Sequence, residues 1–354
     1  MDENIILDDI NDLIKNHIDL WREFNRKRIF ITGATGFIGS FLVKLFMKLS
    51  GQGINVKLVL LVFSRHEAEQ KLGKYFDESR IKLIEQDITS PLEIDSDVDF
   101  VIHTASKANP TAYITDPVGT ITTNVVGTNN VFKALLGKHV KKVLYLSSME
   151  VYGKHGENGT ISEDVIGVID SKKIRSCYPL SKSCTENLCF SYSEQYGIPS
   201  TVVRLAYIYG AGDNINDPKV VTAFMNDILN GRNIILKSDG VQERTYCYIK
   251  DAVFGILVAL LKGENKQVYN ISSMSNTITI RGIAEIILKL FGNNEQKLEQ
   301  VIPSEFDTKQ FSLVQNNILD NNKIKALGYV ESIDIMEGLM KTGLYFGLLV
   351  RGDR

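Results

Sequence analysis

Little in this chain ties it to a membrane or to the outside of a cell. No apolar run reaches the roughly 18 residues that span a bilayer, and the opening Met1-Asp2-Glu3-Asn4 is acidic where a secretory leader is basic. The expectation is a cytoplasmic protein with no membrane partner. Its four cysteines, Cys177, Cys184, Cys189 and Cys247, form no CxxC pair and have no histidine at ligand spacing, so free thiols are expected and no metal site. Neither sign of charge is in excess: 40 Lys and Arg stand against 42 Asp and Glu, a net charge of −2. That excludes a polycation for nucleic acid, and the pairs Lys141-Lys142 and Lys172-Lys173 read as solvated charge. Internal repeats and low-complexity tracts are missing too. What is there is 354 residues, 44% hydrophobic and 23% charged, enough for two lobes around a sizeable core.

The period of the apolar residues changes along the chain. Leu7, Ile10, Leu13, Ile14, Ile18, Trp21 and Phe24 recur at helical spacing, which predicts an amphipathic helix over 7–24 whose stripe covers this chain or a second subunit. Residues 1–26 form that extension. Apolar runs at Ile29–Ile31, Val56–Val62, Ile81–Ile84, Phe100–Ile102 and Val143–Leu146 alternate with helical stretches, the pattern of a doubly wound parallel α/β sheet over 27–206. After Leu205 the chain turns rich in Asn, Asp and Lys, so 207–354 is read mainly as a smaller lobe, with segments near 246–271 returning to the first domain. A strand over Gln267–Ile271, a helix over Ile280–Phe291, a polar stretch around Asn293–Gln300 and a last helix from Ile333 complete the outline.

Three local patterns carry chemistry. Gly33-Ala34-Thr35-Gly36-Phe37-Ile38-Gly39 joins a strand to a helix, where glycines let the backbone turn, approach a pyrophosphate and pack closely. A nicotinamide dinucleotide is the expected cofactor. The second strand ends in Phe63-Ser64-Arg65 without the acid that would hold an adenosine ribose, and Ser64 with Arg65 suits a 2′-phosphate, tilting the choice to NADP over NAD. Finally, Ser147-Ser148-Met149-Glu150-Val151-Tyr152-Gly153 precedes Tyr178-Pro179-Leu180-Ser181-Lys182. Tyr178 and Lys182, four apart, share a helix face, where the ammonium lowers the phenol's pKa and holds a ribose. The phenolate is then a base for a hydroxyl proton, with Ser148 donating to the same oxygen.

From Lys27 to Tyr345 the sequence resembles the extended short-chain dehydrogenase/reductases that modify nucleotide sugars. The resemblance rests on those patterns together with Asp87-Ile88, His103-Thr104-Ala105-Ser106, Asn124-Val125-Val126-Gly127-Thr128, Arg204 to Gly210, Arg244 to Asp251, and Asp320 to Lys323 ahead of Leu327-Gly328-Tyr329. It implies a Rossmann sheet with a C-terminal substrate lobe, Asp87 and Ile88 about the adenine, and Ala105, Ser106, Lys107 and Asn124 along the cofactor. It also implies a nucleoside-diphosphate sugar as partner, with Met149, Glu150, Tyr207 and Arg244 on the substrate, and a homodimer through the helix that bears Tyr178 and Lys182 and the helix after Asn124.

Relatives of this kind oxidise sugar C4 and then diverge. Glu150 before Val-Tyr-Gly is similar to both 4,6-dehydratases and UDP-glucuronate decarboxylases, in which the new ketone either acidifies the C5 proton or makes the C5 carboxylate a β-keto acid. Ile174-Arg175-Ser176-Cys177 leading into Tyr178 is similar to the decarboxylases, while Phe63-Ser64-Arg65-His66-Glu67 resembles NADP-binding dehydratases. Met149 departs from both, since it cannot donate a proton. Tyr207 departs as well, standing where many relatives carry Asn. A C4 epimerase or plain 4-oxidoreductase is the alternative, and a non-catalytic NADP-binding regulator a more distant one.

Overall fold

Short runs that are apolar on both faces belong inside a parallel sheet, where helices cover them from either side. Six follow one another in this computed structural model, which describes residues 1–156, 159–311 and 318–351: β1 (Lys27–Thr32), β2 (Val56–Val62), β3 (Ile81–Glu85), β4 (Phe100–His103), β5 (Lys142–Ser148) and β6 (Ser200–Leu205). Three strands then leave this sheet, β7 (Tyr207–Tyr209), β8 (Ile234–Leu236) and β9 (Glu243–Tyr248), before β10 (Gln267–Ile271) returns to pair in parallel with β6. The seven-stranded order is β10-β6-β5-β4-β1-β2-β3. It reverses direction at β1, which lies between β2 and β4, and a ligand crevice opens beyond the carboxyl ends of strands at such a reversal.

Alternate residues of β1 and β2 feed two cores. Ile29, Ile31, Leu58 and Leu60 pack on one face with α3 (Phe37–Lys48) and α9 (Ile249–Lys262), whereas Phe30, Val59 and Leu61 face α6 (Pro117–Leu135) and α7 (Cys177–Tyr196). The C-terminal part adds α8 (Val220–Leu229), α10 (Ile280–Phe291), α13 (Ile335–Tyr345) and two small sheets. One joins β7 and β9 to β11 (Thr277–Thr279), and the other pairs β8 with β12 (Leu298–Gln300) inside the stretch read as merely polar. Strand β10 and helix α10 have the bounds their sequence patterns predict.

The N-terminal segment differs from its predicted single helix. It forms α1 (Glu3–Asn16) and a short turn of helix, α2 (Ile18–Trp21), broken at His17, whose ring stacks on Phe254 of α9 at 3.9 Å. The Trp21 indole then donates back to Leu13 O at 2.9 Å, so the break brings a large ring under the helix. Ile6, Ile10, Leu13, Ile14 and Trp21 are all buried against this same chain. Polar contacts fix the register: buried Asp9 accepts from Tyr248 at 2.8 Å and Lys341 at 2.7 Å, and Lys250 pairs with Asp12.

Candidate active site

The glycine turn is shaped by close backbone contacts. Gly33 has φ +64° and would drive a Cβ to 2.7–2.9 Å from Thr104 and Ala105, and a Cβ on Gly39 would sit 2.1 Å from Gly33 O. Both positions therefore require glycine. A Cβ on Gly36 would meet only Gly33 O, at 3.2 Å. Gly36 caps α3 without any side-chain hydrogen bond, leaving the N–H groups of Phe37, Ile38 and Gly39 without an acceptor of the usual capping kind. The chain fits a dinucleotide here.

Next along the crevice, the loop after β4 is pinned by short polar bonds. Ala105 N donates to Thr32 Oγ1 at 3.2 Å, Ser106 Oγ to Asn124 Oδ1 at 2.8 Å, and Asn124 Nδ2 to Ser181 Oγ at 2.8 Å, joining the loop to α7. Lys107 pairs with Asp116 at 2.5 Å. His103, held between Thr32 and Thr128, is driven down to about 3 by burial and is a neutral structural ring. Asp87 holds the turn after β3 through Thr89, and buried Ile88 packs on Gly127.

The adenosine end departs from expectation. Ser64 caps α4 (Arg65–Leu72), accepting from Glu67 N at 3.2 Å, while the Arg65 guanidinium is ringed by carboxylates: Glu78 in direct contact, Glu69 at 3.5 Å and Glu85 at 3.8 Å. A 2′-phosphate would have to displace these anions. The sequence tilt toward NADP considered Arg65 without them.

Tyr178 and Lys182 project from the first turns of α7, both buried. The Tyr178 ring stacks on Tyr113 of α5 (Pro110–Thr115), with centroids 4.3 Å apart, and Ser148 stands at the end of β5, which α7 packs against. Lys182 donates to Leu146 O at 2.7 Å and lies over the Tyr145 ring. Here too the sequence expectation is corrected. Burial, reinforced by the Glu150 charge, raises the phenol to about 12, and burial lowers the amine to about 7, partly opposed by Glu186. Desolvation outweighs any help the amine gives the phenol.

Glu150 is the larger surprise. It sits in the turn Met149–Tyr152 that follows β5, and both of its oxygens are held by Arg175, at 2.5 and 2.8 Å. The pair is largely withdrawn from solvent, with side chains 14% and 6% exposed. Arg175 lies over the Tyr113 ring, 5.5 Å from its centroid, and so one ring away from Tyr178. Met149 is buried with Tyr152, Ile161, Ala206 and Leu319. Tyr207 faces the guanidinium of buried Arg244, 5.6 Å from its ring centroid.

Arg175 and Tyr113 were not among the residues selected from sequence, although Arg175 lies in a segment noted there. A supporting network was missed as well. Glu186, one turn beyond Lys182, accepts from Ser147 at 2.5 Å and from Arg204 at 2.7 and 3.0 Å. Arg204 covers Tyr152, whose hydroxyl donates to Asn270 at 2.6 Å. These bonds tie β5, α7, β6 and β10 together.

The profile of the NAD dependent epimerase/dehydratase family matches residues 29–272. UDP-glucuronic acid decarboxylase 3 of Arabidopsis thaliana is 33% identical over 319 residues, 88% of this chain and 86% of the plant protein. UDP-glucuronic acid decarboxylase 1 of Danio rerio is 32% identical, covering 92% and 73% of the two chains. Among solved structures, UDP-glucose 4-epimerase of Thermotoga maritima superposes with a TM-score of 0.76 at 25% identity, over 90% of this chain and 98% of the other. The dTDP-glucose 4,6-dehydratase of Streptomyces venezuelae gives 0.78 at 23% identity over 90% and 97%, a likeness of fold.

Proposed function

The chain belongs to the NAD dependent epimerase/dehydratase family, and from that premise we propose that it oxidises a nucleoside-diphosphate uronate at C4 and then decarboxylates it. It is a nucleotide-sugar-modifying enzyme with a nicotinamide cofactor. UDP-glucuronate is the substrate its decarboxylase relatives suggest. One observation carries the choice of reaction: Glu150 has both oxygens on Arg175, and Met149 is buried and cannot donate a proton. Dehydration needs a free base at C5 and an acid at C6. Decarboxylation needs neither.

The cofactor, when bound, supplies the hydride acceptor; Gly33, Thr35, Gly36, Phe37, Ile38 and Gly39 would hold its pyrophosphate, and Lys182 its ribose. The raised Tyr178 phenol comes down beside the positive charge of a bound oxidised nicotinamide, and as a phenolate it takes the proton of the C4 hydroxyl while Ser148 donates to the same oxygen. With C4 a ketone, the C5–C6 bond breaks, its electron pair becomes the C4 enolate, and carbon dioxide leaves. Ser148 and Tyr178 stabilise the enolate oxygen. A proton drawn from water is added at C5 in place of the carboxylate, and as C4 is reduced Tyr178 gives its proton back to the C4 oxygen, so one solvent proton replaces the lost carboxylate overall.

For the adenosine end we favour NAD, because of the carboxylates around Arg65. The dimer is also part of this reading: α6 exposes Val118, Ile121 and Val126, and α7 exposes Leu180, an apolar surface suited to a second copy. No helix among the described residues is long and apolar enough to cross a membrane, and with four free cysteines we keep the cytoplasm as its location. Incubating the protein with UDP-glucuronate and recording product mass tests the reaction. Loss of one carbon dioxide is expected; loss of water or an unchanged mass would replace decarboxylation with dehydration or epimerisation. Titration with both cofactors should give tighter NAD binding that Arg65→Ala leaves within about threefold, and tighter NADP binding would reverse that choice.

A further inference from the structure

We infer that Glu186 is a positioning residue for Lys182: Arg204 and Ser147 hold its carboxylate one helical turn away, where its charge keeps the buried amine an ammonium without drawing it off the cofactor ribose. The inference rests on the assignment of Lys182 to that ribose and adds what keeps the proton there. Lys182 and Glu186 are four apart on α7, so they leave the helix on one face with Cβ atoms about 5–6 Å apart. Both are buried. Their head groups do not pair, because the Glu186 oxygens are taken by Arg204 Nε at 3.0 Å, Arg204 Nη2 at 2.7 Å and Ser147 Oγ at 2.5 Å. Lys182 gives one N–H to Leu146 O at 2.7 Å. An ammonium has three donors, so two remain for ribose hydroxyls.

The other titratable groups that face this amine are neutral. His103 on β4 is driven down to about 3, and burial holds the Tyr145 phenol of β5, and the Tyr178 phenol and Cys189 thiol of α7, above their ordinary values. Among the described residues, Glu186 is therefore the carboxylate that acts on an amine lowered by burial to about 7. Arg204 reaches it from β6 and is itself fixed from behind, over the Tyr152 ring at 4.6 Å and through Nη1 to Glu163 O at 3.2 Å. Its bidentate grip stops the carboxylate from swinging onto Lys182, which would take a donor from the ribose, and its charge offsets part of the Glu186 field. The sign of each deletion follows. Without Glu186 the amine faces Arg204 and sheds its proton more readily; without Arg204 the carboxylate acts unopposed and the amine holds its proton to higher pH.

The test is fluorescence titration of NADH against the full chain between about pH 5.5 and 9.5. The reduced nicotinamide is uncharged, so Tyr178 does not titrate with its binding. Wild-type affinity should be level while the amine is charged and then fall about tenfold or more as its proton is lost, the range of a charge-assisted contact. The pH at which the fall begins reports the amine of the free protein. Glu186→Gln should move that onset down by about one pH unit and Arg204→Gln should move it up by about as much. The double variant Glu186→Gln/Arg204→Gln leaves no buried charge unpaired, so it keeps the test where a single variant fails to fold; its onset should lie between those of the wild type and Glu186→Gln. Lys182→Met should bind weakly with no such fall. Onsets that stay in place, that move in the opposite direction, or that give way to an equal loss of affinity at every pH would overturn the inference, leaving the pair as a tie between β6 and α7. Lys182→Met binding NADH as tightly as the wild type would remove the ribose assignment itself, and the inference with it. Product mass scores the decarboxylation separately from both.

Discussion

Lys182 is expected to destabilise the cofactor-free protein, and replacing it with methionine tests that directly. Its amine is buried and lowered from 10.5 to about 7, whereas an unfolded chain keeps the ordinary value. Between those two values the unfolded state binds the extra proton, so stability rises with pH across that window, and below about 7 the whole cost is present. At about 1.4 kcal/mol per pH unit the displacement corresponds to roughly 4–5 kcal/mol. Lys182→Met removes this cost but also loses the bond to Leu146 O and the contact with the Tyr145 ring, worth together about 2 kcal/mol. The net expectation is a gain of about 2–3 kcal/mol at pH 6 that falls with pH, reaches zero near about pH 9 and becomes a small loss above it, with turnover abolished. Urea unfolding of both proteins, free of nucleotide, at pH 6, 8 and 9.5 measures it. The common contributions of other groups cancel in the difference. Parallel stability curves through that window, or a variant weaker than the wild type at pH 6, would refute the argument that burial dominates this amine.

Two further substitutions probe the frame. Gly39→Ala places a methyl 2.1 Å from Gly33 O, a backbone atom with no room to yield, so nicotinamide cofactor affinity should fall at least about tenfold in a fluorescence titration; unchanged affinity would mean the turn is not the pyrophosphate cradle. Trp21→Ala removes a fully buried ring lodged between Phe24 and Phe254 and should cost about 3–5 kcal/mol in urea unfolding. A loss under about 1 kcal/mol would show that the N-terminal helices are an appendage rather than part of the core.

Much of the sheet was legible because its signals are local. Val56–Val62 is apolar on both faces, and a strand buried on both faces can hardly be read otherwise. Tyr178 and Lys182 could be paired because one helical turn separates them, and Gly33 and Gly39 because a tight turn admits no other residue. The pKa of that tyrosine was misjudged for the same reason: spacing counts a neighbouring charge, while desolvation depends on everything packed around it. The helix over 7–24 was right in period and wrong at His17, where a partner from α9, far away in sequence, captures the ring.

By itself, then, the amino-acid order determined the strand-turn-helix frame, the glycine cradle and the Tyr–Lys pair, all of which follow from periodicity and short-range sterics. Only the tertiary structure decided that Glu150 is held by an arginine 25 residues away, that Met149 is turned into an apolar cluster, and that Glu69, Glu78 and Glu85 gather around Arg65. Ion pairs and side-chain direction depend on which loops and strand ends meet in space. No repeat in the chain records that meeting, and whether a carboxylate is a base or half of a salt bridge is settled there.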